Sequence, residues 1–222
     1  MNVLLVYPLY PDAYFGFKHA VRFISKKASI PPIGLITVSA MLPDSWHKKL
    51  VDMNVSPLLT SDLEWADYVF ISAMMIQKES LKQVIAECIK HQVKIVAGGP
   101  LFTHDYGNYP QIDHFILNEA EVAFPAFLND LETGKPPQNI YRADKFADII
   151  DSPVPDFHLL ARKEYAYMNI QISRGCPFSC EFCEIPSLLG HKVRMKGTNQ
   201  IIKELDTLYN WRSSIRIKVR QD

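Results

Sequence analysis

The feature that most limits the fold is a series of short apolar runs, each closed by a helix breaker or a polar turn and separated by longer amphipathic stretches. Val3-Leu4-Leu5-Val6-Tyr7, ended by Pro8, is apolar without alternation, as a strand buried on both faces must be. Lys48 to Met53 is a weaker strand candidate. Asp67 to Ser72 (DYVFIS), Val93 to Ala97 (closed by Gly98-Gly99-Pro100) and Asp113 to Leu117 (DHFIL) complete the series. Ile33 to Leu42 fits a helix, entered through Pro31 and Pro32 and left at Pro43. Glu79 to His91 fits another, with Leu81, Val84, Ile85, Cys88 and Ile89 spaced for one buried face. Glu119 to Leu131 closes the series, and Gly134 suits its end. This alternation predicts a doubly wound, parallel, five-stranded α/β sheet over residues 1–135. Ligands of such sheets sit beyond the carboxyl ends of the strands. The loops after Tyr7, Ser72, Ala97 and Leu117 are therefore the expected ligand edge.

Residues 136–168 contain Pro136, Pro137, Pro153 and Pro155, and read as a linker that wraps onto the next unit. From Tyr167 the pattern restarts. Met168 to Ser173 is an expected strand, a cysteine-bearing loop follows, and a helix runs from about Thr198 to Trp211. Residues 169–222 are thus the start of a second unit. Its tail, Ile215 to Arg220, alternates apolar and cationic residues, which suits a half-exposed strand and not a buried parallel one.

Composition narrows the function. Apolar residues are 48% and charged residues 22%, the balance of a globular chain. Lysine plus arginine number 24, as do aspartate plus glutamate, so no general affinity for nucleic acid or an anionic membrane is expected. No apolar run approaches the about 20 residues of a membrane span. The opening run lacks the basic flank of a signal peptide, and a cytoplasmic setting is expected. Three of the four cysteines, Cys176, Cys180 and Cys183, are bunched on one loop, which points to metal or redox chemistry and away from structural disulfides.

Those three lie in Ser173-Arg174-Gly175-Cys176-Pro177-Phe178-Ser179-Cys180-Glu181-Phe182-Cys183. Thiolates are soft ligands suited to iron–sulfur clusters and to zinc. Three ligands on a four-iron cluster leave one iron open for a substrate. Structural zinc wants a fourth protein ligand, for which His158 and His191 are the candidates, though neither has a finger-type spacing. Cys88, on the apolar face of its helix, is expected to be a buried structural thiol.

The Cys-x-x-x-Cys-x-x-Cys spacing, with Phe182 before the third cysteine, resembles the signature of the radical S-adenosylmethionine superfamily. With the preceding α/β unit, the chain resembles the cobalamin-binding-domain proteins of that superfamily. Ser72-Ala73-Met74 is similar to the family's serine element, Gly98-Gly99-Pro100 to its Gly-Gly element, and Asn118-Glu119-Ala120-Glu121 to its Gly-Glu-x-Glu-type turn. The resemblance implies a flavodoxin-like cobalamin-binding fold followed by the start of a partial (β/α) barrel. It implies a [4Fe-4S] cluster on Cys176, Cys180 and Cys183, with Phe182 near the adenine of S-adenosylmethionine. Ser72, Gly98 and Gly99 would line the cobalamin site. The chain departs from the pattern in lacking Asp-x-His-x-x-Gly after the first strand, and His19 nearby has unmatched surroundings, so no histidine ligand to cobalt is expected. Asn118 and Ala120 stand where glycines are more usual. His47, His91, His104, His114 and His158 read as surface or packing residues.

What this implies is a cobalamin-dependent radical enzyme that cleaves S-adenosylmethionine reductively, with methyl transfer to an unactivated carbon as the candidate reaction. An external electron donor and an unnamed small-molecule substrate would be its partners. Two rivals remain: a non-catalytic cobalamin or small-ligand module, and a zinc-stabilised interaction protein. A six-unit partial barrel needs about 180 residues, and the span from Asn169 to Asp222 accommodates one unit and part of another. The expectation is therefore a chain cut short within the barrel, one that binds cluster or cobalamin yet turns over poorly, with an inactive fragment as the alternative. Tyr10, Tyr14, Phe15, Phe17 and Phe23, between Pro8 and Pro32, would either cover a corrin or an apolar substrate or pack on the second unit.

Overall fold

The apolar runs pair into one parallel sheet. In this computed structural model, which describes residues 1–12 and 17–213 (side chains to 210), the strands are β1 (Asn2–Tyr7), β2 (His47–Asp52), β3 (Tyr68–Ser72), β4 (Lys94–Gly98), β5 (His114–Leu117) and β6 (Ile140–Arg142), in the order β2-β1-β3-β4-β5-β6. The helices between them are α1 (Lys18–Arg22), α2 (Ile33–Ser39), α3 (Thr60–Trp65), α4 (Lys78–Lys90), α5 (Pro100–Asp105) and α6 (Ala120–Glu132). The parallel α/β class is as the sequence predicts. The sixth strand is an addition: Ile140–Arg142, from the proline-rich stretch, pairs parallel with β5. Tyr141 holds it by donating to the buried Asp130 of α6 at 2.7 Å.

Strand residues alternate between two cores, as the period of two requires. Leu4, Val6, Val69, Ile71, Ile95, Ala97, Phe115 and Leu117 face α3, α4 and α5. Val3, Leu5, Tyr68, Phe70, Val96 and Ile116 face α2 and α6. On α4 the buried stripe is Leu81, Val84, Ile85 and Cys88, while Ile89, expected on that face, is half exposed. Cys88 is fully buried, and burial pushes its thiol up to about 12, so it stays protonated.

The strand order fixes where ligand space opens. α2 and α6 pack on one face but contact different parts of it, and between them the carboxyl ends of β3, β4 and β5 are left uncovered. On the far side, the segment after β6 folds back. Phe157, Leu160 and Tyr165 form a third core with Ile36. The Tyr165 hydroxyl donates to the buried Asp52 carboxylate at the end of β2 at 2.9 Å. Asp52 is raised from the usual carboxylate range, since burial outweighs the hydrogen bonds from Asn54 and Tyr165.

The second unit begins differently from expectation. The strand predicted over Met168 to Ser173 is confined to β7 (Ser173–Arg174), which pairs antiparallel with β8 (Arg194–Met195). Met168 and Ile170 pack on the third core instead of entering a ladder. Helix α7 (Ile185–Leu189) lies between β7 and β8, and α8 (Thr198–Ser213) follows. A buried ion pair, Lys196 to Glu204 at 2.5 Å, pins α8 to the residue after β8. Among the described residues no helix is long and apolar enough to cross a membrane. Tyr14, Phe15 and the alternating tail Ile215 to Arg220 lie outside the described residues.

Phe127 on α6 is fully buried, with the Phe70, His114, Phe124 and Tyr141 rings at centroid distances of 5.4–6.2 Å. Phe127→Ala is expected to cost about 3–5 kcal/mol, read as a lowered urea midpoint. Phe23→Ala, at a side chain 91% exposed, should leave the midpoint within experimental scatter.

Candidate functional site

The uncovered gap between α2 and α6 is a cavity of about 280 Å³. Phe70, Val96, Ile116 and Phe124 give it an apolar floor, and Leu35, Val38 and Met41 of α2 form one side. Ser72, Gly98, Gly99 and Asn118, at the ends of β3, β4 and β5, form its rim. An apolar slot with a few polar groups at its mouth suits a flat aromatic ligand portion.

Backbone shape explains the rim residues. Gly99 has φ 93°, which L side chains rarely adopt, and a Cβ there would stand 2.7 Å from Ser72 Oγ. A Cβ on Gly98 would stand 3.0 Å from the Ile116 carbonyl oxygen. Three predicted residues, Ser72, Gly98 and Gly99, are thus brought together on the rim, where the strand ends approach too closely for a side chain at either glycine. Asn118 takes the left-handed conformation a glycine would take, with φ 67°. Asparagine tolerates this best among non-glycine residues, and its side chain donates to the Ala143 carbonyl at 2.7 Å. The departure from glycine at that turn is therefore accommodated.

The turn's two glutamates have a job that sequence reasoning missed. Arg174 donates through Nη1 and Nη2 to both oxygens of Glu121, at 2.9 and 2.7 Å. Arg194 donates in the same forked manner to Glu119, at 2.7 and 2.9 Å. Arg174 also reaches Glu119 at 3.4 Å, and the Ser152 hydroxyl donates to Glu121 at 2.7 Å. All four charged side chains are at most 14% exposed. Burial alone would raise the Glu121 carboxyl, but the Arg174 guanidinium outweighs it and holds Glu121 at about 2. The signal available in the sequence was Arg174, two residues before Cys176, in an otherwise neutral run, with Glu-x-Glu after a buried strand.

This cluster fastens the hairpin β7–β8, from which the cysteine loop springs. Gly175 has φ 89°, and a Cβ there would stand 2.2 Å from the Lys192 carbonyl oxygen, so no other residue fits. Cys176 N donates to the Gly190 carbonyl at 3.0 Å, and Cys183 N to the Cys180 carbonyl at 3.1 Å. Cys176, Cys180 and Cys183 are free thiols, Cys180 exposed and the others partly so. Among the described residues no three His, Cys, Asp or Glu side chains converge to hold a metal ion, these included. The loop gathers the thiols on one segment without bringing them to one point. The donor set suits an iron–sulfur cluster, and neither His158 nor His191 joins it. Phe182 is 93% exposed. Of the aromatic stretch after β1, Tyr10 packs edge-on against Tyr7 at 5.8 Å, while Phe17 and Phe23 are exposed.

Residues 21–128, which contain the cavity rim, match the family model of the B12-binding domain. Residues 21–128 are therefore a B12-binding domain. An uncharacterized methyltransferase of Synechocystis is 39% identical over 219 residues, covering 97% of this chain and 41% of that protein. The hopanoid C-2 methylase of Rhodopseudomonas palustris is 32% identical over 211 residues, covering 93% of this chain and 40% of the relative. A bacteriochlorophyllide d C-12(1)-methyltransferase of Chlorobaculum tepidum is 23% identical over 182 residues, covering 78% and 39%. The chain therefore spans about two fifths of the length of these relatives. The B12-binding assignment falls on the part of the structure where the glycine-rimmed cavity opens.

Two outcomes follow for this B12-binding unit. Gly99→Ala should lower stability by about 1–3 kcal/mol through backbone strain, and adding Ser72→Ala should recover only the steric part, both read by urea unfolding. Glu121 is depressed in the folded chain from 4.5 to about 2. Its contribution is therefore complete above pH about 4.5 and declines as pH falls toward 2. Glu121→Gln should flatten the acid limb of a stability–pH profile in that window.

Proposed function

We propose that this chain is the cobalamin-binding and cluster-loop portion of a radical S-adenosylmethionine methyltransferase. The observation that carries the reading is a glycine-rimmed apolar cavity in a B12-binding domain, fastened by two forked ion pairs to a hairpin bearing three free thiols. Residues 1–135 are the cobalamin unit, 136–168 the connecting segment and 169–222 the beginning of the radical unit. Methyl transfer is the reaction class carried by the names of the relatives.

In this reading the three groups bound are a [4Fe-4S] cluster, S-adenosylmethionine and cobalamin. Together they supply an electron, a cleavable sulfonium and a methyl carrier. The residues of this chain do the holding. Cys176, Cys180 and Cys183 would hold the cluster through their sulfurs, and the cluster would supply the electron. Phe182, exposed on the loop, offers its ring face to the adenine. Ser72, Gly98 and Gly99 let the cobalamin tail approach the main chain, and the apolar floor excludes water from it. Electrons arrive from an external donor.

The test is anaerobic reconstitution with iron and sulfide, then electron paramagnetic resonance of the reduced chain with and without S-adenosylmethionine. A four-iron signal that shifts on adding S-adenosylmethionine is expected. A signal indifferent to it, beside tight cobalamin binding, would replace this reading with that of a carrier without radical chemistry. Replacing any one of the three cysteines by alanine should remove nearly all iron, and a variant that kept full iron and sulfide content would overturn the ligand assignment.

A further inference from the structure

The cavity and the cysteine loop share a wall. Gln171 and Arg174 line the cavity immediately before Gly175 and Cys176. Leu189 lines it at the end of α7, next to Gly190, whose carbonyl accepts from Cys176 N. Facing them are Glu119 and Glu121. The ion-pair cluster is therefore at once part of the cavity lining and the fastening of the loop.

The hairpin's flanks are held separately, by Met168 and Ile170 on the third core before it and by Lys196 paired with Glu204 after it, but between them the ladder is short. β7 and β8 are two residues each, far short of what holds a strand pair alone. Arg194 adds bonds to the carbonyls of Ala147 at 2.6 Å and Leu189 at 2.7 Å, and its guanidinium lies 5.0 Å from the Phe146 ring centroid. These contacts radiate from the same arginine. A ligand filling the cavity covers Gln171, Arg174 and Leu189, removes water from the ion pairs, and so strengthens them.

We propose that Glu119, Glu121, Arg174 and Arg194 couple the two sites, so that cobalamin in the cavity and a cluster on the cysteine loop each favour binding of the other. The proposal rests on the function given above. A hairpin whose strands are two residues each is one that a neighbouring ligand can order further, and the coupling is reciprocal by thermodynamic necessity. The four residues are positioning residues: they carry the effect without touching the reacting atoms.

The experiment measures hydroxocobalamin dissociation constants for the whole chain, anaerobically, before and after loading iron and sulfide. Cluster loading should tighten binding about tenfold, within the ordinary range of site coupling. In Arg174→Met/Glu121→Gln, which removes a pair without stranding a buried charge, the ratio should fall to about one. Arg194→Lys, which keeps the charge and loses the fork, should give an intermediate ratio and guards against a double variant that does not fold. Hydrogen exchange reads the same coupling without iron: hydroxocobalamin should slow exchange over residues 173–195 in the parent chain and not in the double variant. Binding of both ligands with a ratio of one, or cobalamin binding that leaves residues 173–195 unprotected, would remove the coupling and leave the functional reading standing. A parent chain that binds neither hydroxocobalamin nor iron would remove both.

Discussion

The carboxyl edge of this sheet depends on strand order. With β1 between β2 and β3, the helix that leaves β1 packs to one side of the α2/α6 face, while the helix after β5 packs to the other. Among the described residues no element fills the space between them, and the apolar side chains of Phe70, Val96 and Ile116 line its floor. A hydrophobic floor left open in this way is costly in water unless something lies on it. The rim then refuses side chains at two points: Gly98 against the Ile116 carbonyl, Gly99 against Ser72. Fold and site are here the same constraint seen at two scales.

The second organising interaction is electrostatic and buried. Removing two carboxylates and two guanidiniums from water is expensive, and such clusters often break even against an apolar substitute. Geometry offsets the cost here. Both arginines meet a carboxylate with two nearly equal bonds, 2.7 and 2.9 Å, and Ser152 takes up a further lone pair. The pairs join the turn after β5 to residues more than fifty positions later. An apolar patch would fasten the hairpin as firmly but without fixing its orientation, since hydrophobic contact is non-directional. Forked bonds fix it. That is a physical reason to place charges where burial is unfavourable.

How far the sequence spoke depends on what kind of interaction was being read. β1, β3, β4 and β5 are legible because strands buried on both faces must be continuously apolar, and α2, α4 and α6 because a 3.6-residue stripe is hard to mimic, whereas the short α1, α3 and α5 carry too few turns to show one. Cys176, Cys180 and Cys183 form a set by spacing, and the structure places them on one loop without converging them. β6 is not legible, because Ile140–Arg142 carries one buried residue, Tyr141, whose partner Asp130 lies on a helix. The strand expected over Met168 to Ser173 shrank because periodicity cannot tell an apolar residue that enters a ladder from one, such as Ile170, that packs on a neighbouring core. Glu119 and Glu121 are placed on the right turn but without a role, since spacing does not reveal a partner far along the chain.

Backbone conformation ties these observations together. Gly99, Asn118, Gly175 and Gly190 all have positive φ, and all four lie at the cavity or at the base of the cysteine loop. Each marks a point where the chain turns more sharply than a side chain allows, or where another group must come close. At Gly175 the group is the Lys192 carbonyl, at Gly190 the Phe146 ring, and at Gly99 Ser72. Strained or glycine-only positions persist where the surroundings over-determine them. Here the surroundings are the ion-pair cluster on one side and the strand ends on the other. The cavity and the cysteine loop therefore meet at Arg174, which lines the cavity and directly precedes the Gly175 turn.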